Sequence, residues 1–398
     1  MLMKINNDKR AIEAVLSRGV QEVIVDKDLR KKLLSGKQLR IKHGVDPTSK
    51  DLTLGHAVVY EKLRQFQEMG HKIVFLIGSF TARFGDPTDK GKTRDMRDKK
   101  EVLEMGKNYI KQLGKILDIK KVEIRYNGEW YDKFSGEDML RLMSKVTVAR
   151  MLERDMFQKR IKDEKEIYYH EPVYPILQGY DSVELKSDLT VIGSDQKFNE
   201  LQARPLQEAS GQTPQDIVIM PLLVGTDGAQ KMSQSLNNYI GISDTANEQF
   251  GKLMSIPDKL IYSYFELCTR ITEGELGEIE QLLKSDANPR DIKIKLAKEI
   301  VSIYHGEKAA DEAAVEFANI FSNKMKPSDI EKKSFIANSN TLDLLMELGM
   351  VKSKGEARRL VEQGGIKVND QVLEKWEKND FKAGDVIQIG KRKFVELK

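Results

Sequence analysis

Residues 39–56 read LRIKHGVDPTSKDLTLGH, and this stretch decides the fold. Leu39–Val45 is a short β-branched run that ends in a polar loop, and a helical pattern begins near Thr53. Strand, loop and helix in that order form half of a βαβ unit, whose ligands collect outside the carboxyl end of the strand. The residue types at that edge suit an anionic ligand. Gly44 admits close backbone approach, Thr48 and Thr53 offer hydroxyls, and His56 offers an imidazole. The helix start adds a positive dipole end suited to phosphate. The same residues also read as an N-capped helix with an incidental histidine.

On either side of this stretch, strand-like and helix-like segments alternate. Lys72–Gly78 is a nearly continuous apolar run, as expected of a strand covered on both faces. Val122–Tyr126, Leu189–Gly193 and Ile217–Gly225 add further strands, with helices at Gly55–Met69 and Lys99–Leu117. Upstream, residues 9–35 read as helical through Ile12, Val15, Leu16 and Val20, then Leu29, Leu33 and Leu34. The alternation predicts an α/β doubly wound parallel sheet over residues 1–238. Beyond it the strand pattern stops, and Gly274–Leu283, Pro289–Tyr304 and Glu307–Phe321 form a helical segment within 239–325. A polar linker spans 326–340. Residues 341–398 begin with the amphipathic pair Thr341–Leu348 and Lys354–Gln363, then turn to short strands.

Composition excludes several classes of function. The 398 residues are 32% charged and 40% hydrophobic, an ordinary globular balance. No run approaches the roughly 18 apolar residues of a membrane helix, and the first residues give no expectation of a signal peptide. A single cysteine, Cys268, excludes an internal disulfide framework and a Cys-rich zinc site, and fits a reducing cytoplasmic setting. Five histidines show no metal-ligand spacing, so no protein metal site is expected. Net charge is +4, and all of that excess lies in residues 351–398, where 12 Lys and Arg face 8 Asp and Glu. A small basic module on a neutral body attracts polyanions weakly.

Other segments carry chemistry at the same predicted sheet edge. Gly85-Asp86-Pro87-Thr88-Asp89-Lys90-Gly91-Lys92-Thr93-Arg94 follows the Lys72–Gly78 strand, placing a carboxylate where it can hold an ammonium group and cations where they can clamp phosphates. A solvated charged turn is the plainer reading. Gly228-Ala229-Gln230-Lys231-Met232-Ser233-Gln234-Ser235 sets one lysine among small residues. In Tyr174–Ser182, Tyr174, Gln178 and Asp181 fall at i, i+4 and i+7, one polar face of a helix that lines either a pocket or an internal hydrogen-bond network. Gly193-Ser194-Asp195-Gln196 ends another strand with two more polar groups.

Taken in order, Asp46-Pro47-Thr48, Thr53-Leu54-Gly55-His56, Gly85-Asp86-Pro87, Tyr174…Gln178-Gly179-Tyr180-Asp181, Gly193–Gln196 and Lys231–Ser235 resemble the bacterial-type tyrosyl-tRNA synthetases, which are class I aminoacyl-tRNA synthetases. Thr53–His56 stands where that family has His-Ile-Gly-His, and Lys231–Ser235 where it has Lys-Met-Ser-Lys-Ser. The tail, with Leu344, Leu348, Ser353-Lys354, Glu356–Leu360 and Gly364–Asn369, resembles an S4 RNA-binding domain. The resemblance covers about residues 35–398. It implies a Rossmann-like catalytic domain (1–238), a helical anticodon-binding domain (239–325) and a small α+β S4-like domain (341–398).

It also implies a function: a cytoplasmic homodimer that makes tyrosyl-adenylate from L-tyrosine, ATP and Mg2+, then transfers tyrosine to tRNA(Tyr). By matching position, Thr48, Thr53, Gly55, His56, Asp195 and Lys231 with Met232, Ser233, Gln234 and Ser235 would meet ATP. Lys90, Arg94 and Lys231 would close on the pyrophosphate. Lys42, Gly44, Asp46, Asp86, Tyr174, Gln178, Asp181 and Gln196 would surround tyrosine, with Asp181 accepting the phenolic proton. A pocket built around a substrate hydroxyl leaves its own polar group unpaired when phenylalanine enters, and this family is itself the reference case of the effect. Lys352, Lys354, Arg358, Arg359 and Lys367 would contact tRNA phosphates, and residues around Val146–Met156 part of the dimer interface.

Three departures stand out. Thr53 replaces the first signature histidine, Gln234 replaces a signature lysine, and Lys42 stands where many members place a second tyrosine against the phenol. The missing cation leaves more of the pyrophosphate charge to Lys90, Lys92 and Arg94. Two alternatives stand beside this reading: a tryptophan-specific or altered-specificity synthetase, which Asp181 and the S4-like tail disfavour, and a catalytically weakened RNA-binding paralogue, which Thr53 and Gln234 keep in view.

Overall fold

The computed structural model describes residues 5–86, 97–322, 330–336, 339–373, 375–390 and 393–398. They form two compact units, Met1–Ala310 and Asp311–Lys398.

The first unit is built on a six-stranded sheet: β1 (Glu22–Ile24), β2 (Arg40–Val45), β3 (Lys72–Ile77), β4 (Glu123–Tyr126), β5 (Leu189–Gly193) and β6 (Asp216–Met220). The spatial order is β1-β6-β5-β2-β3-β4, parallel except for β1, which pairs antiparallel with β6. Both faces are covered, so Ile73, Val74, Phe75, Leu76 and Ile77 are all buried. The chain leaves β2 for β3 and β4 on one side and returns to β5 and β6 on the other. The order therefore reverses between β2 and β5, where open α/β sheets bind ligands. Six residue pairs join β2 to β3, whereas β2 meets β5 through Ile41↔Leu189 and Lys42↔Thr190. Above them the His43 ring, rather than a backbone amide, bonds the Val191 carbonyl at 2.8 Å, and the crevice opens.

The expected doubly wound sheet is present, with corrections at its margins. The stretch 9–35 is two helices, Lys9–Ser17 and Asp26–Leu34, separated by β1. Gly19, at φ +62°, ends the first helix, and the β-branched run Val23-Ile24-Val25 after it supplies an edge strand. The strand expected over Ile217–Gly225 stops at Met220, because Pro221 has no N–H to continue the ladder. Residues 240–242 instead run beside 52–54, with Leu54 N–H on the Ile240 carbonyl and Ile242 N–H on that of Leu52, both at 2.9 Å.

After residue 240, helices Ala246–Met254 and Ile261–Cys268 precede the three expected ones, observed at Glu273–Lys284, Pro289–His305 and Glu307–Ser322. Ile261, Tyr264, Phe265, Leu267 and Cys268 are all buried. A helix with so broad an apolar face shows little amphipathic period.

In the second unit, helices Thr341–Glu347 and Lys354–Glu362 pack on a five-stranded sheet. Its strands are β7 (Glu331–Lys333), β8 (Ile366–Val368), β9 (Gln371–Val372), β10 (Val386–Ile389) and β11 (Lys393–Leu397), in the order β7-β11-β10-β8-β9. Leu344, Leu345, Ala357, Ile366, Ile387 and Leu397 form its core. The stretch 326–340, read as a linker from its polarity, thus contributes β7, which pairs in parallel with β11. A three-residue edge strand of Glu-Lys-Lys carries no apolar alternation to betray it.

Candidate active site

A cleft of about 830 Å³ opens at the carboxyl ends of the parallel strands. Among the residues expected in the site, Lys42, Gly44, Asp46, Thr48, Thr53, Gly55, His56, Asp86, Tyr174, Gln178, Asp181, Asp195, Gln196 and Lys231–Ser235 line it together. Lys90, Lys92 and Arg94 lie outside the described residues.

One wall is the start of helix Leu54–Glu68. The Thr53 backbone N–H donates to His56 Nδ1 at 3.2 Å, and Thr53 Oγ1 lies 2.9 Å from the same nitrogen. Nδ1 is therefore the acceptor of the ring, which leaves the proton on Nε2. Burial, then the nearby His43 and Lys231, lowers the imidazole to about 4, so it is neutral at physiological pH. Thr53 thus fixes the tautomer of the histidine that remains. A Cβ at Gly55 would stand 3.5 Å from Met232 Cβ, so the lysine loop lies directly over this turn.

That loop is tied down along its length. Met232 N–H donates to the Leu223 carbonyl at 2.7 Å, Ser233 N–H to Asn238 Oδ1 at 2.8 Å, and Gln234 Nε2 to the Asp51 carbonyl at 2.6 Å. Lys231 Nζ stands 3.4 Å from Asp195 Oδ2. Gln234, in place of a cation, acts as a neutral hook onto the loop ahead of the helix.

The opposite wall is helix His170–Leu185, which presents Tyr174, Gln178 and Asp181 on one face as the spacing predicts. Asp46 accepts from the hydroxyls of Thr81 (2.7 Å) and Tyr174 (2.9 Å). A side chain at Gly78 would collide with the Asp46 carboxylate, so the glycine ending β3 is what admits it. Asp181 accepts from Trp130 Nε1 at 3.1 Å and Asn127 Nδ2 at 3.4 Å. Burial raises both carboxyls to about 7, against their hydrogen-bond donors and, at Asp181, against the Lys42 charge. Asp86 accepts from Gln196 Nε2 at 3.0 Å and faces Arg154 at 3.8 Å.

Lys42 requires a correction. Its side chain reaches the cleft wall, but its ammonium is committed inside the protein, to Glu200 at 3.0 and 3.2 Å, Ser182 Oγ at 2.9 Å and the Gln178 carbonyl at 3.2 Å. All three N–H donors are thus engaged, and Lys42 is not a direct tyrosine ligand.

Sequence reasoning missed Asn127, Trp130 and Glu200, together with Arg160, His170 and Glu171, which line the cleft mouth. Arg160 and Glu171 form a partly buried ion pair, with Arg160 Nη2 2.9 Å from Glu171 Oε1. The one signal available was Lys42 itself, a charge at a buried position of a central strand.

In the second unit Lys352, Lys354, Arg358 and Arg359 are exposed while Ala357 and Val361 face the core, and Lys367 is half-buried on β8. Arg358 lies over the Trp376 ring at 4.6 Å, and Lys354 pairs with Asp343. Among the described residues, no helix is long and apolar enough to cross a membrane. Among the same residues, no group of three or more His, Cys, Asp or Glu is placed to hold a metal ion.

The family model for class I tRNA synthetases of the tryptophan and tyrosine type matches residues 34–322, and that for the S4 domain matches 342–375. The chain is 45% identical over 391 residues to the tyrosine--tRNA ligase of Mannheimia succiniciproducens, covering 98% of this chain and 99% of that one. It is 46% identical over 390 residues to tyrosine--tRNA ligase 2 of Vibrio vulnificus, covering 97% and 99%. Among solved structures, a C-terminally truncated mitochondrial tyrosyl-tRNA synthetase of Aspergillus nidulans superposes with TM-score 0.66 at 22% identity, over 79% of this chain and 95% of that one. The Archaeoglobus fulgidus tyrosyl-tRNA synthetase complexed with L-tyrosine gives 0.61 at 22%, over 76% and 99%. These last two show the likeness of fold. On the family model and the near-full-length identity, the chain belongs to the class I tRNA synthetases of the tryptophan and tyrosine type and carries an S4 domain.

Proposed function

We infer that this protein is an ATP-dependent tyrosine--tRNA ligase. Beside the near-full-length relatives of that name, the observation that carries the reading is Asp181. It is a buried carboxylate oriented by Trp130 and Asn127 in the same cleft as the Thr53–His56 turn and the Lys231 loop, and it suits a phenolic hydroxyl.

In this reading Asp86, Tyr174 and Gln178 hold the tyrosine ammonium, and Gly44 leaves room for the substrate backbone. The tyrosine carboxylate attacks the α-phosphorus of ATP, and the bond to the pyrophosphate oxygen breaks. Thr48, Thr53 and His56 Nε2–H meet the phosphates, Asp195 and Gln196 stand beside the ribose and carboxylate, and Lys231 neutralises charge on the leaving pyrophosphate. The phosphate charge of ATP would be shielded further by Mg2+ bound to the nucleotide. In the second step a 3′-terminal hydroxyl of tRNA attacks the acyl carbon and AMP leaves. No covalent enzyme intermediate is required.

Residues 239–325 serve as the anticodon-reading segment, and the chain works as a homodimer. Val148, 69% exposed within Val146–Met156, is part of the contact in this reading.

The test is amino-acid-dependent ATP–pyrophosphate exchange with tyrosine, phenylalanine and tryptophan in parallel. Exchange with tyrosine alone is expected. Exchange with tryptophan would reassign the specificity. Protein that binds tRNA but exchanges with none of the three would be the RNA-binding paralogue that Thr53 and Gln234 keep in view.

The S4 module makes a separate prediction. Arg358 and Arg359 are proposed to neutralise tRNA phosphates, so affinity for tRNA falls with salt. The Arg358→Ala/Arg359→Ala variant is expected to weaken binding and flatten the log K against log[salt] slope by about one unit per lost contact, as read by filter binding. An unchanged slope would place the tRNA elsewhere.

A further inference from the structure

Lys42 and Glu200 are each 1% exposed, and their charges meet beneath the polar face of helix His170–Leu185. Replacing such a buried pair with apolar residues is often neutral or stabilising, so its presence calls for a role other than stability. The hydrogen bonds indicate one. Glu200 Oε1 accepts from Lys42 and from Gln178 Nε2 at 2.9 Å, and Glu200 Oε2 accepts from Lys42 and from Gln215 Nε2 at 3.0 Å. Asn199 Nδ2 donates to Gln178 Oε1 at 2.9 Å.

An ionised carboxylate only accepts, so it compels the Gln178 amide to turn its NH2 inward. The amide oxygen then points away from Glu200. Asn199 uses one of its lone pairs, and the other is left for a cationic donor in the cleft. Lys42 donates to both Glu200 oxygens, and through its bonds to Ser182 Oγ and the Gln178 carbonyl it holds the same turn of the helix.

We propose that the Lys42–Glu200 ion pair is a positioning device that locks the amide orientation of Gln178 and thereby sets affinity for the substrate ammonium, without touching the substrate. This rests on Gln178 being a tyrosine ligand, as read above. Lys42, which stands where a substrate-facing tyrosine is found in many relatives, thus acts on the opposite end of the amino acid from the phenol.

The experiment compares Lys42→Met, Glu200→Gln and the double variant of the full chain, by thermal unfolding and by tyrosine and ATP kinetics in pyrophosphate exchange. Lys42→Met strands a buried carboxylate, so both stability and tyrosine KM suffer. The double variant removes both charges and recovers stability, but a glutamine at 200 offers Gln178 either a donor or an acceptor. Its tyrosine KM is therefore expected to stay raised by roughly 10-fold or more, with ATP KM and kcat near those of the unaltered chain. A tyrosine KM that returns to normal with stability would make the pair merely structural and overturn the proposal. An ATP KM that rises in step would also overturn it. Glu200→Gln alone preserves side-chain volume but strands the Lys42 ammonium, so if the double variant does not fold it is read against ATP KM: a raised tyrosine KM at unchanged ATP KM supports the proposal, while a normal tyrosine KM, or one that rises in step with ATP KM, refutes it. Failure of the unaltered chain to exchange with tyrosine is a distinct result and would sink the functional reading itself.

Discussion

Replacing Asp181 with alanine lowers kcat/KM for tyrosine by about 100-fold, while ATP KM stays near normal. The residue is buried, so the loss combines the proposed charge-assisted hydrogen bond to the phenol with Trp130 Nε1–H and Asn127 Nδ2–H left without their acceptor. Steady-state pyrophosphate exchange over a range of tyrosine concentrations measures it. A loss of less than about threefold would remove Asp181 from the phenol contact.

The same carboxyl predicts a pH dependence. Burial holds Asp181 and Asp46 at about 7, above the 3.8 of a free side chain. The phenolic hydroxyl donates best to the ionised form. Below pH 7 the carboxyls are protonated, so tyrosine binding must release protons and KM rises as pH falls. Above pH 7 the curve flattens. In Asp181→Asn the dependence shrinks to the part contributed by Asp46, which titrates in the same range. A variant whose KM keeps the full pH slope would assign the titration to another group.

Lys231→Ala gives the second large effect: kcat for exchange falls by roughly 100- to 1000-fold, while tyrosine KM changes little. Lys231 is the single charged residue in Gly228–Ser235, since Gln234 is neutral, and the loop is pinned over the start of helix Leu54–Glu68 by Met232, Ser233 and Gln234. In the proposed reaction its charge meets pyrophosphate most strongly as the bond to the α-phosphorus breaks, and removing a preorganised group of that kind acts on kcat. Its ammonium lies 3.4 Å from Asp195 Oδ2. Single-turnover adenylate formation reads the chemical step directly. A change confined to ATP KM would make Lys231 a binding residue alone.

What the sequence made legible was local. Strand Leu189–Gly193 and the polar face Tyr174, Gln178 and Asp181 each rest on spacing within one element, and the structure has them as read. Helix Ile261–Cys268 was missed because its residues are mostly buried and leave little period to detect. Strand β1 was missed because three residues at a sheet edge need only a partner, β6, almost two hundred residues away. The site divides in the same way. Motifs ending a strand could be read in place, but Lys42 finds Glu200 across 158 residues and Asp181 finds Trp130 across 51. Such pairings are set by the order of strands and helices in space, which no short window of sequence contains.

Gly78 has a consequence for how this protein can vary. Its backbone lies in no left-handed region, so the fold alone would tolerate alanine there. The obstacle is the Asp46 carboxylate and the Thr81 hydroxyl, which occupy the space a methyl group would need. Positions 46, 78 and 81 therefore vary as one heritable unit: a side chain becomes admissible at 78 only in chains that have first given up both the carboxylate at 46 and the hydroxyl at 81.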